Sequence, residues 1–212
     1  MKKTLVLATR NRGKVRELKV LLSTLPGLEV LSLDELEQRR GGERLPEVIE
    51  DGETFEANAC KKAREIAGAT GCAVLSDDSG LEVDALGGRP GVHSARYAGP
   101  EADDDANNAK LVEELTPVAP ERRGARYRVV LAFADPGGVL GEGMHTEDGA
   151  CEGHIELEPR GENGFGYDPY FRPEGYGCRM AELTPEEKNR ISHRAKASAK
   201  MLGFLEGYLA GG

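Results

Sequence analysis

The sequence contains no tryptophan, and aromatic residues make up only 5% of its 212 positions. It has no apolar run approaching the roughly 20 residues that a membrane-spanning helix needs. Basic residues are outnumbered by acidic ones, which gives a formal net charge of -9. These deficits argue against a membrane protein, and the charge argues against a nucleic acid or an anionic lipid surface as a partner. An anionic small molecule remains compatible, since a divalent cation can invert the local field.

Cysteine is also scarce, and no two cysteines form a C-x-x-C pair. The four are Cys60, Cys72, Cys151 and Cys178. Their spacing favours unlinked thiols in a reducing compartment over a disulfide framework or a zinc site. Arg10 and Arg12 end the first apolar run too early for a signal peptide. Together these features predict a cytoplasmic protein.

The length and the order of apolar patterns predict a single domain spanning residues 1–212. Apolar residues at helical spacing follow a short first strand, and later segments alternate apolar and polar residues as consecutive strands do. Because strand–helix–strand units and consecutive strands both occur, the predicted fold is α/β on a mixed sheet. The acidic run 103–105 is interpreted as a favourable start of a helix rather than as a metal site.

Two adjacent carboxylates, Asp77 and Asp78, follow the apolar run 72–75 and precede Ser79 and Gly80. The run predicts a buried strand, which would place both acids at its carboxyl end, where ligands bind in open α/β sheets. Like charges repel, so solvent, a cation or a raised pKa must relieve the repulsion. A solvated turn is the alternative, because Asp, Ser and Gly are common turn formers.

The segment 9–14 joins the first predicted strand to a helix. Its residues are Thr9, Arg10, Asn11, Arg12, Gly13 and Lys14. A helix amino terminus offers free N–H groups and partial positive charge, which favour phosphate binding, and Lys14 adds a full charge. The spacing is not that of a Walker A loop. A capped surface helix with a solvated lysine is an equally simple interpretation.

Acidic residues also precede the predicted helix 54–69. In a functional interpretation, Glu50 shares a divalent cation with the Asp77–Asp78 pair, and Lys62 is a second cation for phosphate. Mg²⁺ is suited to one or two carboxylates completed by water and substrate phosphates. The alternative is that these acids only complement the helix dipole.

A glycine-rich segment, 164–170, carries the aromatic Phe165 among small residues. Such a segment allows a flat base to stack on the ring, which is worth about 1–3 kcal/mol, and Asp168 is available to bind a ring N–H. A tight aromatic turn is the alternative. Downstream, Lys188 and Arg194 would face different ways on one continuous helix, so a break near Ser192 is needed to turn both inward.

In this order, the segments resemble the inosine-triphosphate pyrophosphatase-like family over nearly the whole chain. The matching stretches are 8–17, 51–59, 77–81, 87–97, 164–169 and 182–194. The resemblance implies a mixed, elongated and curved β-sheet with two helical lobes flanking a central substrate cleft, within one domain and as a homodimer. It implies hydrolysis of noncanonical purine nucleoside triphosphates (ITP, dITP, XTP) to the monophosphate and pyrophosphate.

The resemblance also implies roles for individual residues. Asp78 would be the proton acceptor and, with Glu50, a Mg²⁺ ligand; Asp51 or Glu47 are alternatives to Glu50. The segment Thr9 to Lys14 would bind the triphosphate, and Ser79 would contact the substrate. The implied nucleobase pocket comprises Phe165, Gly166, Tyr167, Asp168, Lys188, His193 and Arg194. The pattern departs from the family at 175–179, before Glu182.

Two other functions fit parts of the pattern. A pyrophosphatase of the septum-inhibitor-like (Maf-type) family would share the fold, but its Ser-Pro-Arg-Arg-type opening is absent. A nucleotide-binding regulator without turnover would be expected to lack an acid or a lysine of the matching motifs, and all of them are present.

Overall fold

A computed structural model describes residues 3–210. Its six strands are β1 (Lys3–Leu7), β2 (Leu28–Ser32), β3 (Ala73–Val83), β4 (Gly124–Ala134), β5 (Met144–Ile155) and β6 (Phe171–Pro173). Its α-helices are α1 (Arg12–Leu22), α2 (Leu33–Arg39), α3 (Phe55–Thr70), α4 (Asp104–Leu115), α5 (Pro185–Ile191) and α6 (His193–Ala210). Among these residues, no helix is both long and apolar enough to cross a bilayer.

The strands form one sheet in the order β2-β1-β3-β4-β5-β6. β1 pairs in parallel with both β2 and β3, whereas β5 and β6 are antiparallel. The parallel pairs are connected through helices, as parallel strands require. The predicted α/β class with a mixed sheet is therefore confirmed.

The chain divides into two compact units. The first comprises the chain up to Asp78, residues 130–148, and the chain from Ala197 onward; the second comprises Ser79–Val129 and Gly149–Lys196. In the first unit, Leu5, Val6 and Leu7 of β1 are buried, as are apolar residues of α1 and α3. In the second, the core includes Leu81, Val83, Leu111, Leu115, Tyr127 and Phe171.

Local sequence sets where several helices begin. Asn11 caps α1 by accepting a hydrogen bond from the Lys14 N–H at 3.0 Å. Thr54 caps α3 by accepting from the Ala57 N–H at 3.1 Å. Each cap satisfies one of the backbone donors that a helix amino terminus leaves without an intrahelical partner. Asp103 caps α4 in the same way at 2.8 Å, which confirms the capping interpretation of the acidic run for this residue.

The expected position of Asp77 and Asp78 at the end of a short strand is wrong. β3 continues without a turn from Ala73 to Val83, so both acids lie inside it. Pairing with β1 ends at Leu75, yet β4 borders β3 in the sheet, and the strand continues through the Asp-Asp-Ser-Gly sequence. The turn alternative is therefore wrong too, because tertiary pairing overrides local turn preference.

The predicted break near Ser192 is confirmed. α5 ends at Ile191, and Ser192 has extended backbone angles, φ -63° and ψ 154°. Its hydroxyl then accepts a hydrogen bond from the Ala195 N–H at 3.1 Å and caps the start of α6. One residue thus ends the first helix and begins the second, which changes the direction of the side chains that follow.

Candidate functional site

The first unit gathers acids and lysines around β3 and α3. Lys62, on α3, is buried, and its Nζ donates to Glu50 Oε1 at 2.9 Å and to the Asp77 carbonyl oxygen at 2.7 Å. The same Nζ lies 4.0 Å from Asp78 Oδ1. The ammonium of Lys62 therefore lies close to both carboxylates that the sequence proposed as metal ligands. We call Glu50, Lys62, Asp77 and Asp78 the acidic cluster.

Asp77 and Asp78 have different partners because successive side chains of a strand point to opposite faces. The Asp77 carboxylate is fully buried and forms an ion pair with Lys14 at the start of α1. Asp78 is also buried and receives a side-chain hydrogen bond from Asn58. Burial raises the pKa of Asp78 to about 6; Lys62 and Lys14 oppose this increase, and the negative charge of Glu50 adds to it. Asp78 is consequently a stronger base than an ordinary aspartate.

Asn58 was not predicted as a site residue. It is fully buried on α3, and its Oδ1 accepts a hydrogen bond from the Gly52 N–H at 2.7 Å. Asn58 therefore connects Asp78 to the segment that carries Glu50. A Cβ at position 52 would lie 2.7 Å from Asn58 Oδ1, so only glycine permits this approach. In the sequence, Asn58 stands out as a polar residue between Ala57 and Ala59, but its spacing does not indicate that Gly52 and Asp78 are its partners.

The carboxylates of the acidic cluster can supply part, but not all, of a Mg²⁺ coordination shell. Glu50 and Asp78 offer hard carboxylate oxygens, the ligand type that Mg²⁺ prefers. Among residues 3–210, no group of three or more His, Cys, Asp or Glu side chains could hold a metal ion by itself. Two carboxylates suffice only when water and substrate phosphates complete the shell, which is the usual arrangement for Mg²⁺.

The segment 9–14 leads from β1 into α1, as expected. Thr9 Oγ1 accepts from the Asn11 N–H at 3.2 Å, and Asn11 caps the helix. Arg12 and Gly13 occupy the first turn, where backbone N–H groups have no carbonyl one turn earlier to bind. The first turn of α1, with Lys14 in it, therefore has the charge and the donors that favour an anion.

Arg10 has different neighbours from the rest of this segment. Its guanidinium donates to Asp34 Oδ1 at 2.8 Å and to Glu37 Oε1 at 2.6 Å, both on α2. The hydrogen bond to Glu37 is the main cause that raises the pKa of Arg10. In this structure Arg10 therefore holds α2.

The second unit gathers an aromatic ring and two cations around the segment 164–168, which we call the base loop. Lys188 Nζ lies 4.7 Å from the centre of the Phe165 ring, and the guanidinium carbon of Arg194 lies 5.9 Å from it. α5 supplies Lys188 and α6 supplies Arg194, so the break at Ser192 brings both cations to Phe165. Arg194 also donates to Ser79 Oγ at 3.1 Å.

Asp168 is buried and organises the base loop from inside. Its Oδ2 accepts from the Phe165 N–H at 3.0 Å and from Lys188 Nζ at 2.6 Å. The expectation that Asp168 binds a ring N–H stays a prediction, but the structure shows that this oxygen already orients Phe165 and Lys188. Tyr167, which belongs to the same loop, points its hydroxyl to the Ser94 carbonyl at 2.8 Å.

Tyr127, on β4, is a second residue that sequence reasoning missed. Its ring stacks on the imidazole of His193 with centroids 4.9 Å apart and planes 11° apart. Its hydroxyl is hydrogen-bonded to Asp168, and burial, followed by the charge of Asp168, raises its pKa well above the usual range. Tyr127 thus fixes His193 and Asp168. In the sequence it stands only in one of the alternating segments that predict consecutive strands.

The sequence matches the model of the Ham1 family over residues 5–204. A dITP/XTP pyrophosphatase of Desulforamulus reducens is 51% identical over 95% of this chain and 94% of its own, and one of Bacillus subtilis is 48% identical over 96% and 98%. The structure of the Staphylococcus aureus Ham1 protein aligns with a TM-score of 0.81 at 38% identity, over 97% of this chain and 99% of that one. A dITP/XTP pyrophosphatase structure from Mycobacterium abscessus aligns at 0.72 and 43%, over 94% and 98%. This chain belongs to the Ham1 family.

Proposed function

We propose that this protein hydrolyses noncanonical purine nucleoside triphosphates (ITP, dITP and XTP) to the nucleoside monophosphate and pyrophosphate. The observation that carries the proposal is the buried Asp78, whose pKa burial raises to about 6 beside Lys62 and Glu50. Relatives about half identical over nearly the full chain bear the name dITP/XTP pyrophosphatase. Removal of these nucleotides would clear deaminated purines from the nucleotide pool.

In the proposed reaction, a water oxygen attacks the α-phosphorus and the bond from that phosphorus to the bridging oxygen breaks. Asp78 takes a proton from the water, and pyrophosphate leaves with the electron pair of the broken bond. A general base works best when its pKa is near the working pH, and burial in the metal-free protein raises the pKa of Asp78 to about 6. Lys14, Lys62 and the first turn of α1 provide positive charge for the phosphates.

We propose Glu50 and Asp78 as the residues that hold Mg²⁺. When bound, the ion would offset phosphate charge and lower the pKa of a coordinated water. The carboxylates of Glu50 and Asp78 already lie around one cation, the ammonium of Lys62, which supports their use as ligands.

The base loop supports the choice of a 6-oxo purine. Phe165 offers a ring for stacking, and Lys188 and Arg194 beside it carry only hydrogen-bond donors. Donors match the 6-oxo group of hypoxanthine or xanthine, whereas the 6-amino group of adenine would face them with N–H groups of its own. A buried mismatch of this kind rejects a substrate strongly. GTP shares the 6-oxo group and is the harder competitor.

A product analysis tests the proposal. The protein is incubated with Mg²⁺ and ITP in ¹⁸O-labelled water, and the products are separated. We expect IMP carrying the label, together with unlabelled pyrophosphate, and a much slower reaction with ATP. Orthophosphate with IDP would contradict attack at the α-phosphorus. Tight ITP binding without products in Mg²⁺ would instead indicate a nucleotide-binding regulator.

We also propose that the protein works as a cytoplasmic homodimer without nucleic acid. The net charge of -9 supports the last point, because a polyanion would be repelled. Light scattering coupled to size-exclusion chromatography should give twice the chain mass of 22.8 kDa. A single-chain mass at working concentrations would contradict the dimer while leaving the hydrolysis proposal unaffected.

A further inference from the structure

Two side chains of α4 hold one residue of the base loop. Asp104 Oδ2 accepts a hydrogen bond from the Gly166 N–H at 2.7 Å, and Asn108 Nδ2 donates to the Gly166 carbonyl oxygen at 3.0 Å. Asp104 and Asn108 are four residues apart and so lie on the same face of the helix. Both polar groups of a single backbone residue are thus bound by adjacent turns of one helix.

The base loop contains two glycines, so its backbone needs contacts from outside the loop to hold one conformation. Gly164 and Gly166 adopt positive φ angles of +83° and +62°. Glycine reaches this region without strain, but it also leaves the unbound chain many alternative conformations. Phe165 lies between these two glycines. Its ring therefore keeps one position only if the neighbouring backbone is fixed from outside, and α4 provides that fixation at Gly166.

Asn108 does not improve the stability of the folded protein by itself. It is buried, and its Oδ1 has no hydrogen-bond donor within the described part of the chain, residues 3–210. An unsatisfied buried oxygen lowers stability. Its amide orientation is not ambiguous, because the Gly166 carbonyl can only accept and must therefore face Nδ2. An apolar residue of similar size could replace every other contribution of Asn108, but it could not form the hydrogen bond to the Gly166 carbonyl oxygen.

The preceding residue, Asn107, provides a natural comparison. It is equally buried, but its Oδ1 accepts from the Ala98 N–H at 2.8 Å and its Nδ2 donates to the Ala95 carbonyl at 3.2 Å. Asn107 therefore holds a different segment of the same unit. Substitution of either asparagine by alanine removes a buried amide from the same helix, but only one of the two substitutions releases the base loop.

We propose that Asp104 and Asn108 are positioning residues that set base selectivity by fixing the base loop, an inference that rests on the proposed function. ITP and GTP differ by a 2-amino group on an otherwise identical 6-oxo purine. Hydrogen-bond donors to the 6-oxo group cannot discriminate between ITP and GTP. Discrimination therefore depends on the space that the site leaves around the purine ring. A rigid Phe165 defines that space, and a released loop enlarges it.

Steady-state kinetics of four variants test the proposal. For Asn108→Ala and Asp104→Ala we expect KM for ITP to rise roughly 5- to 10-fold, the change that loss of one hydrogen bond brings. The ratio of kcat/KM for ITP over that for GTP should fall by a similar factor, while kcat for ITP changes less. Asp104→Asn keeps an oxygen that can accept from Gly166 and should retain the wild-type ratio. Asn107→Ala should also retain it.

Hydrogen exchange gives a readout independent of activity. Amides of 164–168 should exchange faster in Asp104→Ala and Asn108→Ala, whereas Asn107→Ala should accelerate exchange around 95–98 instead. Asp104 is exposed, so its variants test the proposal even if Asn108→Ala fails to fold.

Unchanged exchange at 164–168, or an unchanged ITP-to-GTP ratio in Asp104→Ala, would overturn the positioning role. So would a matching loss of selectivity in Asn107→Ala. If the wild-type protein does not release pyrophosphate from ITP, the proposed function fails instead, and the exchange data still decide whether α4 holds the loop.

Discussion

Replacing Asp78 with asparagine should make the metal-free protein more stable while strongly reducing the activity of the Mg²⁺-loaded protein. The folded protein raises the pKa of Asp78 from 3.8 to about 6, mainly by burial. A group with a raised folded pKa binds its proton more tightly when folded. Its contribution to stability is therefore fully present below pH 3.8 and is lost as the pH rises through 6. At about pH 8 the wild-type protein must keep a buried charge that the Asp78→Asn variant does not carry.

The size of the effect follows from the pKa difference. A change of about two pKa units corresponds to about 3 kcal/mol. Asp78→Asn should thus raise the free energy of unfolding by up to about 3 kcal/mol at about pH 8, with the gain shrinking towards zero near pH 4. For a domain of this size that is a rise in Tm of about 6–12 °C. Catalysis should fall by at least about 100-fold, because the general base is removed.

Urea denaturation in EDTA, at pH values from about 4 to 8, measures the difference in free energy of unfolding between the wild-type protein and Asp78→Asn. Asp51→Asn is the matched control, because Asp51 is an exposed acid paired with Lys61 at 2.6 Å. Its substitution should change stability little, as exposed pairs contribute at most about 1 kcal/mol. Equal or lower stability of Asp78→Asn at the alkaline end of this range would refute the reasoning, as would a gain that does not depend on pH.

Three further predictions concern the remaining site residues. Glu50→Gln should raise the Mg²⁺ concentration for half-maximal activity by at least roughly 10-fold, whereas Asp51→Asn should not; the reverse order in a Mg²⁺ titration would assign the ligand to Asp51. Phe165→Leu should raise KM for ITP by about 10-fold through lost stacking, and steady-state kinetics showing no change would remove Phe165 from the base site. Lys188→Met should lower the free energy of unfolding by about 3 kcal/mol, because the buried Asp168 loses this cation. In urea denaturation the double variant with Asp168→Asn should recover most of that loss; strictly additive losses would contradict a coupled pair.

The sequence predicted those parts of the site that depend on local chemistry. The break near Ser192 was expected, and a capped helix after the segment 9–14 was one of two interpretations; both depend on a side-chain oxygen near a helix start, which acts on the next few residues. The same local reasoning failed at Asp77 and Asp78. Their turn-like neighbours lie inside β3, since pairing with a strand more than 40 residues away decides the backbone there.

Residues that act over long separations were not found from sequence. Asn108 binds Gly166, 58 positions later, and Tyr127 binds Asp168 on another element. A polar side chain on an inward strand or helix face looks like any half-buried residue until its partner is known. Asn58 was visible within a matching motif, but its function as the link between Asp78 and Gly52 required coordinates.

The one-residue break at Ser192 has a consequence for how base preference can evolve. On an uninterrupted helix, Lys188 and Arg194 would point about 120° apart. Their shared position beside Phe165 therefore depends on Ser192, a buried residue outside the proposed base pocket. Insertion of one residue there, or replacement of Ser192 by a strong helix former, would redirect one cation without changing the identity of any residue proposed to contact the base. A comparison of relatives by contacting residues alone would miss such a change, so divergence in substrate choice should also be sought in this short connection.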